Sequence, residues 1–186
     1  MKFSAQVSCY LTSWDEIRAS VEAMEAGCWY GVYLADHFVP PNRPERPASE
    51  SDPAFESFST LAAVASITER LRLGHLVLGN TYRNPALVAK MAGTIDHISH
   101  GRFTLGIGAA WFTREHAAYG WDFPSMKERS DRLEEACALI RDLFPSESPV
   151  DFEGHYYRLE NASLSPGPAQ KPHIPILIGG MGERRT

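Results

Sequence analysis

Cysteine is scarce in this chain. Cys9, Cys28 and Cys137 are the only three, and none sits at zinc-site or Cys-x-x-Cys spacing from another. That argues against a zinc knuckle or a dithiol redox centre and fits packed thiols in a reducing compartment. Positive charge is also short: the net charge is −5, and no basic run exceeds the Arg184-Arg185 pair. A nucleic-acid surface is not expected from such a balance. Long apolar runs are missing, so nothing matches a membrane span, and the opening MKFSAQVSCY lacks the apolar core of a signal peptide. Repeats and low-complexity tracts are absent too. The expectation is a cytoplasmic protein with no membrane or nucleic-acid partner. At 186 residues and 44% hydrophobic content, it is large enough for one domain, residues 1–186, with a sizeable core.

The stretch from Leu71 to Trp111 organises the rest. Leu71 to Gly79 and Phe103 to Gly108 are short apolar runs bounded by turn residues, the pattern of strands buried on both faces of a parallel sheet. Between them Asn84 can cap a helix, Pro85 suits its first turn, and Leu87, Val88, Met91, Ile95 and Ile98 form an apolar stripe. Gly101 stands just past its end, where a left-handed residue is wanted. Strand, helix, strand makes a βαβ unit, and ligands in such folds collect at the carboxyl ends of the strands.

In chain order, Phe3 to Cys9 alternates as a first strand. Ser13 to Glu16 reads as a capping box, followed by a helix with Ile17, Val21 and Met24 inward and Gly27 at its close. Gly31 to Ala35 predicts a second strand, leading into Asp36-His37 and a loop carrying Pro40, Pro41, Pro44 and Pro47. Long loops in compact domains are usually functional or disordered, and this one is expected over the ligand face. Asp52-Pro53 is expected to start the next helix. The segment FTREHAAYGWDFP after Trp111 reads as a loop, and Ser125 opens a helix that Pro145 stops. Val150 to Leu159 predicts a hairpin about Glu153-Gly154, and Ile176 to Ile178 a buried strand ending in Gly179-Gly180-Met181-Gly182. Five strand-then-helix beginnings, the last without its helix, read as the first five-eighths of an eight-stranded α/β barrel, which usually needs about 250 residues. An open doubly wound sheet is the rival arrangement.

Several residues at these strand ends could do chemistry. Asp36 and His37 could hold a polar cofactor edge and move a proton; equally, Asp36 could cap the loop and His37 pack on the prolines. Gly106-x-Gly108 permits close approach of a ligand to the backbone but lacks the third glycine of a dinucleotide fingerprint. The glycines after Ile178 could cradle a phosphate at a helix start. Trp111, Phe112, Trp121 and Phe123 form an aromatic group that could flank a planar ring or simply pack the loop. His75, His97 and His100 have no metal spacing and read as structural, and no metal site is expected.

Taken together, Ala35-Asp36-His37-Phe38, Thr68 to Gly74, Tyr82-Arg83-Asn84-Pro85, Asp96 to Phe103, Leu105 to Trp111 and Ile178-Gly179-Gly180 resemble the luciferase-like monooxygenase family, from about Lys2 to Gly182. The Glu115-His116-x-x-Tyr119-Gly120 segment leans towards the branch that uses the deazaflavin coenzyme F420 rather than FMN. The resemblance implies a (β/α)8 TIM barrel, here incomplete and lacking its C-terminal part. It implies an oxidoreductase passing hydride between F420 and a small organic substrate. An FMN- and oxygen-dependent monooxygenase and an inactive barrel fragment are the alternatives. It assigns His37 to proton donation or substrate orientation. It places Asp36, Leu76, Val77, Gly79, Ala109 and Ala110 on the cofactor and Gly179 and Gly180 on its phosphate, with Trp111 on the substrate side. It also implies a non-proline cis peptide bond near Leu76-Val77. Sugar-phosphate dehydrogenases of the family carry a catalytic glutamate where this chain has Trp111, which argues against that substrate. Relatives are often dimers, so a homodimer is a possible assembly.

Overall fold

The structure, a computed structural model, describes residues 1–42, 47, 49 and 51–180. Pro44, Met181, Gly182, Arg184 and Arg185 of the sequence reading lie outside these described residues.

Five lines of strand form one parallel sheet. β1 (Ser4–Val7) pairs β2 (Gly31–Leu34), and β2 pairs β3 (Arg72–His75). β3 and the two-residue β4 (Leu78–Gly79) both pair β5 (Phe103–Gly108), whose other side pairs β8 (Ile176–Gly179). The expected single strand from Leu71 to Gly79 is thus broken in two, at the cis Leu76–Val77 bond that the resemblance implied. Every crossover between neighbours carries helix: α1 (Trp14–Ala26), α2 (Ser57–Ser66), α3 (Pro85–Ile98), then α4 (Thr113–Tyr119) and α5 (Met126–Leu143). Strand order follows chain order without closing. That is the arrangement of part of an α/β barrel, not of a doubly wound sheet with its reversal of order.

Register assigns the faces. Ala5, Val32, Leu73 and Phe103 are cross-strand neighbours on one face and join the apolar core beneath α1, α2 and α3. Ser4, Gly31 and Arg72 line the opposite face, with Gln6, Tyr33, Gly74 and Thr104 in the next row. Alternation of side chains along each strand makes this sorting automatic. Ile17, Val21, Leu61 and Val88 are fully or almost fully buried against the first face, each worth about 1.5–3 kcal/mol of transfer free energy.

Side-chain caps explain four of the five helix starts among the described residues. Ser13 accepts from the Glu16 amide while Glu16 returns a bond to the Ser13 amide, the capping box anticipated for α1. Asn84 caps α3 ahead of Pro85. Two starts differ from expectation. Asp52-Pro53 does not open α2: Leu11 donates to the Pro53 carbonyl, Phe55 to that of Cys9, and Ala54 bridges Tyr10, so residues 53–55 stay extended. The cap is Glu56, whose carboxylate takes the Phe58 and Ser59 amides. The segment after Trp111 is not a loop throughout, because residues 113–119 form α4. The α3 stripe is also narrower than expected. Leu87 and Ile98 are exposed, and the small Ala89 and Ala92 take the buried face with Val88 and Ile95, allowing close packing on α2 and α5. The hairpin β6 (Val150–Glu153) and β7 (Arg158–Ala162) forms as expected, clamped to α5 by Glu135, which accepts the amides of His155, Tyr156 and Tyr157. Ile176 to Ile178 is an edge strand and only partly buried.

Two arginines lock the amino ends of the strands. Arg70 donates to the carbonyls of Met24 and Glu25 in the last turn of α1 and of Gly27 and Trp29 beyond it. Arg102, buried, reaches Ser99, Leu71, Ala65 and Thr68. These residues carry much of the family resemblance, yet they act on the face opposite the strand tips, where barrel positions serve stability rather than catalysis.

His75, the last residue of β3, is completely buried between Phe58 and Phe103, and neither ring nitrogen has a partner among the described residues. Burial pushes its pKa down to about 4. The unfolded chain therefore takes up this proton first as pH falls. Stability attached to the neutral ring is fully present above the unfolded value near 6.5 and drains as pH drops through the folded value, by roughly 3 kcal/mol in all. Urea midpoints of wild type and His75→Leu at pH 7 and pH 4 check this. The wild type is expected to lose more stability on acidification than the variant; parallel losses would refute the assignment.

Candidate active site

The strand tips surround a cavity of about 500 Å³. Asp36, His37, Leu76, Val77, Gly79, Ala109, Ala110, Trp111, Gly179 and Gly180, all the site residues expected from the sequence, line it. They come from β2, β3, β4, β5 and β8, and parallel register brings them to one end of the sheet. Ala35, Leu78, Tyr82, Gly108, Met126, Ser130, Leu133 and Glu134 complete the described wall.

Close packing builds the floor. The Val77 side chain lies against the glycines of two strands: a Cβ on Gly106 or Gly108 would crowd it, and one on Gly179 would overlap it. A Cβ on Gly79 would overlap the Tyr82 ring. Beyond β5 the chain turns through Ala110 at φ 61°, a left-handed conformation uncommon for a residue with a side chain. Arg129, reaching from α5, donates to the carbonyls of Ala110 and Pro124 and lies 3.9 Å above the Phe123 ring, holding that turn.

Asp36 is 3% exposed, and its carboxylate is heavily engaged. Oδ1 accepts from Ser57 at 2.6 Å and Arg83 Nη2 at 3.0 Å; Oδ2 accepts from the Gly79 amide at 3.0 Å and Arg83 Nη1 at 2.8 Å. Arg83 also donates to Glu56 at 2.5 Å. Burial works against the guanidinium charge, but the two carboxylates outweigh it and hold the Arg83 pKa above its ordinary value. Asp36 thus forms part of the wall through a fixed ion pair.

His37 Nδ1 lies 2.9 Å from Glu115 Oε1. Glu115 has no solvent exposure, and its other oxygen accepts the Phe38 amide at 2.8 Å. Tyr82 donates its hydroxyl to the same Oε1. Burial, and then this hydrogen bond, push the Tyr82 phenol well above its ordinary pKa, so it stays protonated. His37 Nε2 has no hydrogen-bond partner among the described residues. Trp111 and Phe112 meet the imidazole edge-on at 5.4 and 5.5 Å. The aromatic group expected after β5 therefore splits. Trp111, 61% exposed, stays at the cavity, whereas Trp121 packs with Phe38, Tyr82 and Tyr119, and Phe123 with His116 and Arg129.

Glu115, Tyr82 and Arg83 had no role assigned from the sequence. Glu115 lies 78 positions from His37, and α4 was not foreseen. Arg83 did carry a signal: a cation just before a helix start opposes the helix dipole and calls for a carboxylate partner. Among the described residues no cluster of His, Cys, Asp and Glu could hold a metal, and no helix is long and apolar enough to cross a membrane.

The sequence pattern of the luciferase-like monooxygenase family matches residues 2–186. The chain belongs to this family. Among curated relatives of this luciferase-like chain, the F420-dependent glucose-6-phosphate dehydrogenase of Amycolatopsis mediterranei (strain U-32) is 36% identical over 167 residues, covering 89% of this chain and 48% of that protein. Its namesake from Intrasporangium calvum is 40% identical over 152 residues, covering 80% and 43%. The luciferase-like chain spans about half the length of the curated relatives it matches. A solved F420-dependent secondary alcohol dehydrogenase, in complex with an F420-acetone adduct, matches with TM-score 0.86 at 24% identity, covering 97% of this chain and 52% of that one. At that identity the likeness speaks to the fold.

Proposed function

We propose that this chain carries the ring-binding end of an F420-dependent oxidoreductase, interconverting an alcohol and a carbonyl on a small organic substrate. The observation that carries the reading is His37, held at Nδ1 by a buried carboxylate and bordering a cavity walled by backbone and apolar side chains. The residues present fit a planar tricyclic ring. Leu76, Val77, Ala109 and Ala110 offer an apolar wall to a cavity of about 500 Å³. Bound there, F420 would supply a two-electron hydride acceptor or donor.

The chain's own residues do the rest. Leu76, Val77, Gly79, Ala109 and Ala110 would bind the ring, and Gly179 and Gly180 the phosphate of its tail. Asp36, neutralised by Arg83, fixes the β2 tip and the Gly79 amide beside it. Trp111 excludes water and packs the substrate against the imidazole. His37 takes the substrate hydroxyl proton during oxidation and returns it during reduction. The curated relatives are named for a sugar phosphate, but Trp111 stands at a position where a catalytic glutamate would be wanted, so a less polar alcohol is the better-supported substrate.

Titration of the purified chain with F420 and with FMN, followed by absorbance and fluorescence, tests the reading. Saturable F420 binding, with bleaching of the 420-type absorbance on adding a secondary alcohol, is expected. Oxygen-dependent turnover with FMN would overturn it in favour of a monooxygenase. Binding of neither cofactor would favour a non-catalytic chain.

A further inference from the structure

We infer that Glu115 is a positioning residue that fixes His37 in its Nδ1–H tautomer, leaving Nε2 bare as the base of the site. This rests on the reading of His37 given above. The hydrogen-bond donors around Glu115 leave one arrangement. The Phe38 amide can only donate, and it points at Glu115 Oε2. Tyr82, whose phenol keeps its proton, donates to Oε1. A carboxylate that receives both is best satisfied as the ionised form, which has acceptors only. The third partner, His37 Nδ1 at 2.9 Å, must then be a donor as well. A neutral imidazole carries one N–H, so donation from Nδ1 leaves Nε2 with a free lone pair.

The assignment sets the direction of proton transfer. With Nε2 bare, His37 is ready to accept the proton of a substrate hydroxyl, leaving the O–H electron pair to form the second carbon–oxygen bond; F420, held as proposed above, would supply the acceptor for the hydride that the carbon must lose. Glu115 then faces an imidazolium and stabilises it without taking the proton. A buried carboxylate behind a catalytic histidine works in this way in hydrolytic triads, where loss of the correct tautomer costs about 10⁴ in turnover. Tyr82 has a separate part. It shares Oε1 with His37 and presses its ring on Gly79, so it holds the carboxylate on the histidine side of the cavity.

Ring-nitrogen NMR on the 186-residue chain with 15N-labelled histidine tests this with neither cofactor nor substrate present. Long-range 1H–15N correlations at alkaline pH report each tautomer, and the His37 signals are those lost in His37→Gln. The Nδ1–H form is expected to dominate in the wild type. In Glu115→Gln the amide must turn its oxygen to the Phe38 amide and its NH2 towards His37, so the proton is expected to move to Nε2, with kcat falling about 10²–10⁴-fold and KM nearly unchanged. Tyr82→Phe is expected to keep the Nδ1–H form. A wild-type His37 in the Nε2–H form, or a Glu115→Gln chain that keeps the proton on Nδ1, overturns the inference. If Glu115→Gln does not fold, the wild-type tautomer alone decides. An Nδ1–H His37 in a chain that binds no F420 would leave the positioning role standing and count against the proposed function instead.

Discussion

His37→Ala is expected to cut turnover by about 10²–10⁴-fold, the usual contribution of a placed general acid–base group. That range corresponds to roughly 3–5 kcal/mol of barrier. The fold should survive. Glu115 keeps the Phe38 amide and the Tyr82 hydroxyl when the imidazole is removed, so one charge-assisted hydrogen bond is lost, worth about 1.5–3 kcal/mol. Rates of F420 bleaching with a secondary alcohol, measured beside urea unfolding curves, separate the two losses. A variant that is folded, binds F420 and turns over within about threefold of wild type would remove His37 from the chemistry.

The second large effect concerns stability. Arg83→Met is expected to destabilise the chain by about 3–5 kcal/mol, because it strands a buried carboxylate. Asp36 would retain only the Ser57 hydroxyl and the Gly79 amide, and Glu56 its two helix-cap amides. The Arg83 side chain is 9% exposed and that of Asp36 2%, so water cannot replace the lost guanidinium. Adding Asp36→Asn to Arg83→Met should restore much of the loss, since a neutral amide needs no counter-charge. Chemical denaturation of the two single variants and the double variant gives the coupling directly. A loss below about 1 kcal/mol for Arg83→Met would show the pair to be effectively solvated.

The order of strands and helices was legible because it is written locally. Phe103 to Gly108 is a mostly apolar strand buried along its length, and Ser13 and Asn84 announce their helices by side-chain caps. What failed was decided at a distance. Asp52-Pro53 has the chemistry of a helix start, but pairing with residues 9–11 keeps that backbone extended and hands the cap to Glu56. α4 has no side-chain cap and is only seven residues long; burial of Glu115 and His116 accounts for its place. The site followed the same division. The residues on strand tips were nameable in advance because parallel strands must bring their tips together. Glu115 was not, since its meaning lies in a contact with His37 that no local pattern encodes. The meeting of Tyr82 and Arg83 with the acids of the site was hidden for the same reason.

The packing of Val77, in the break between β3 and β4, on Gly106 and Gly108 of β5 and Gly179 of β8 ties four positions to one parcel of volume. A methyl group gained at 179 has nowhere to go until one is surrendered at 77. The sequence of changes therefore matters as much as their sum. A lineage exploring a bulkier β8 must pass through a trimmed residue 77 first, and the reverse order runs through an intermediate that cannot pack.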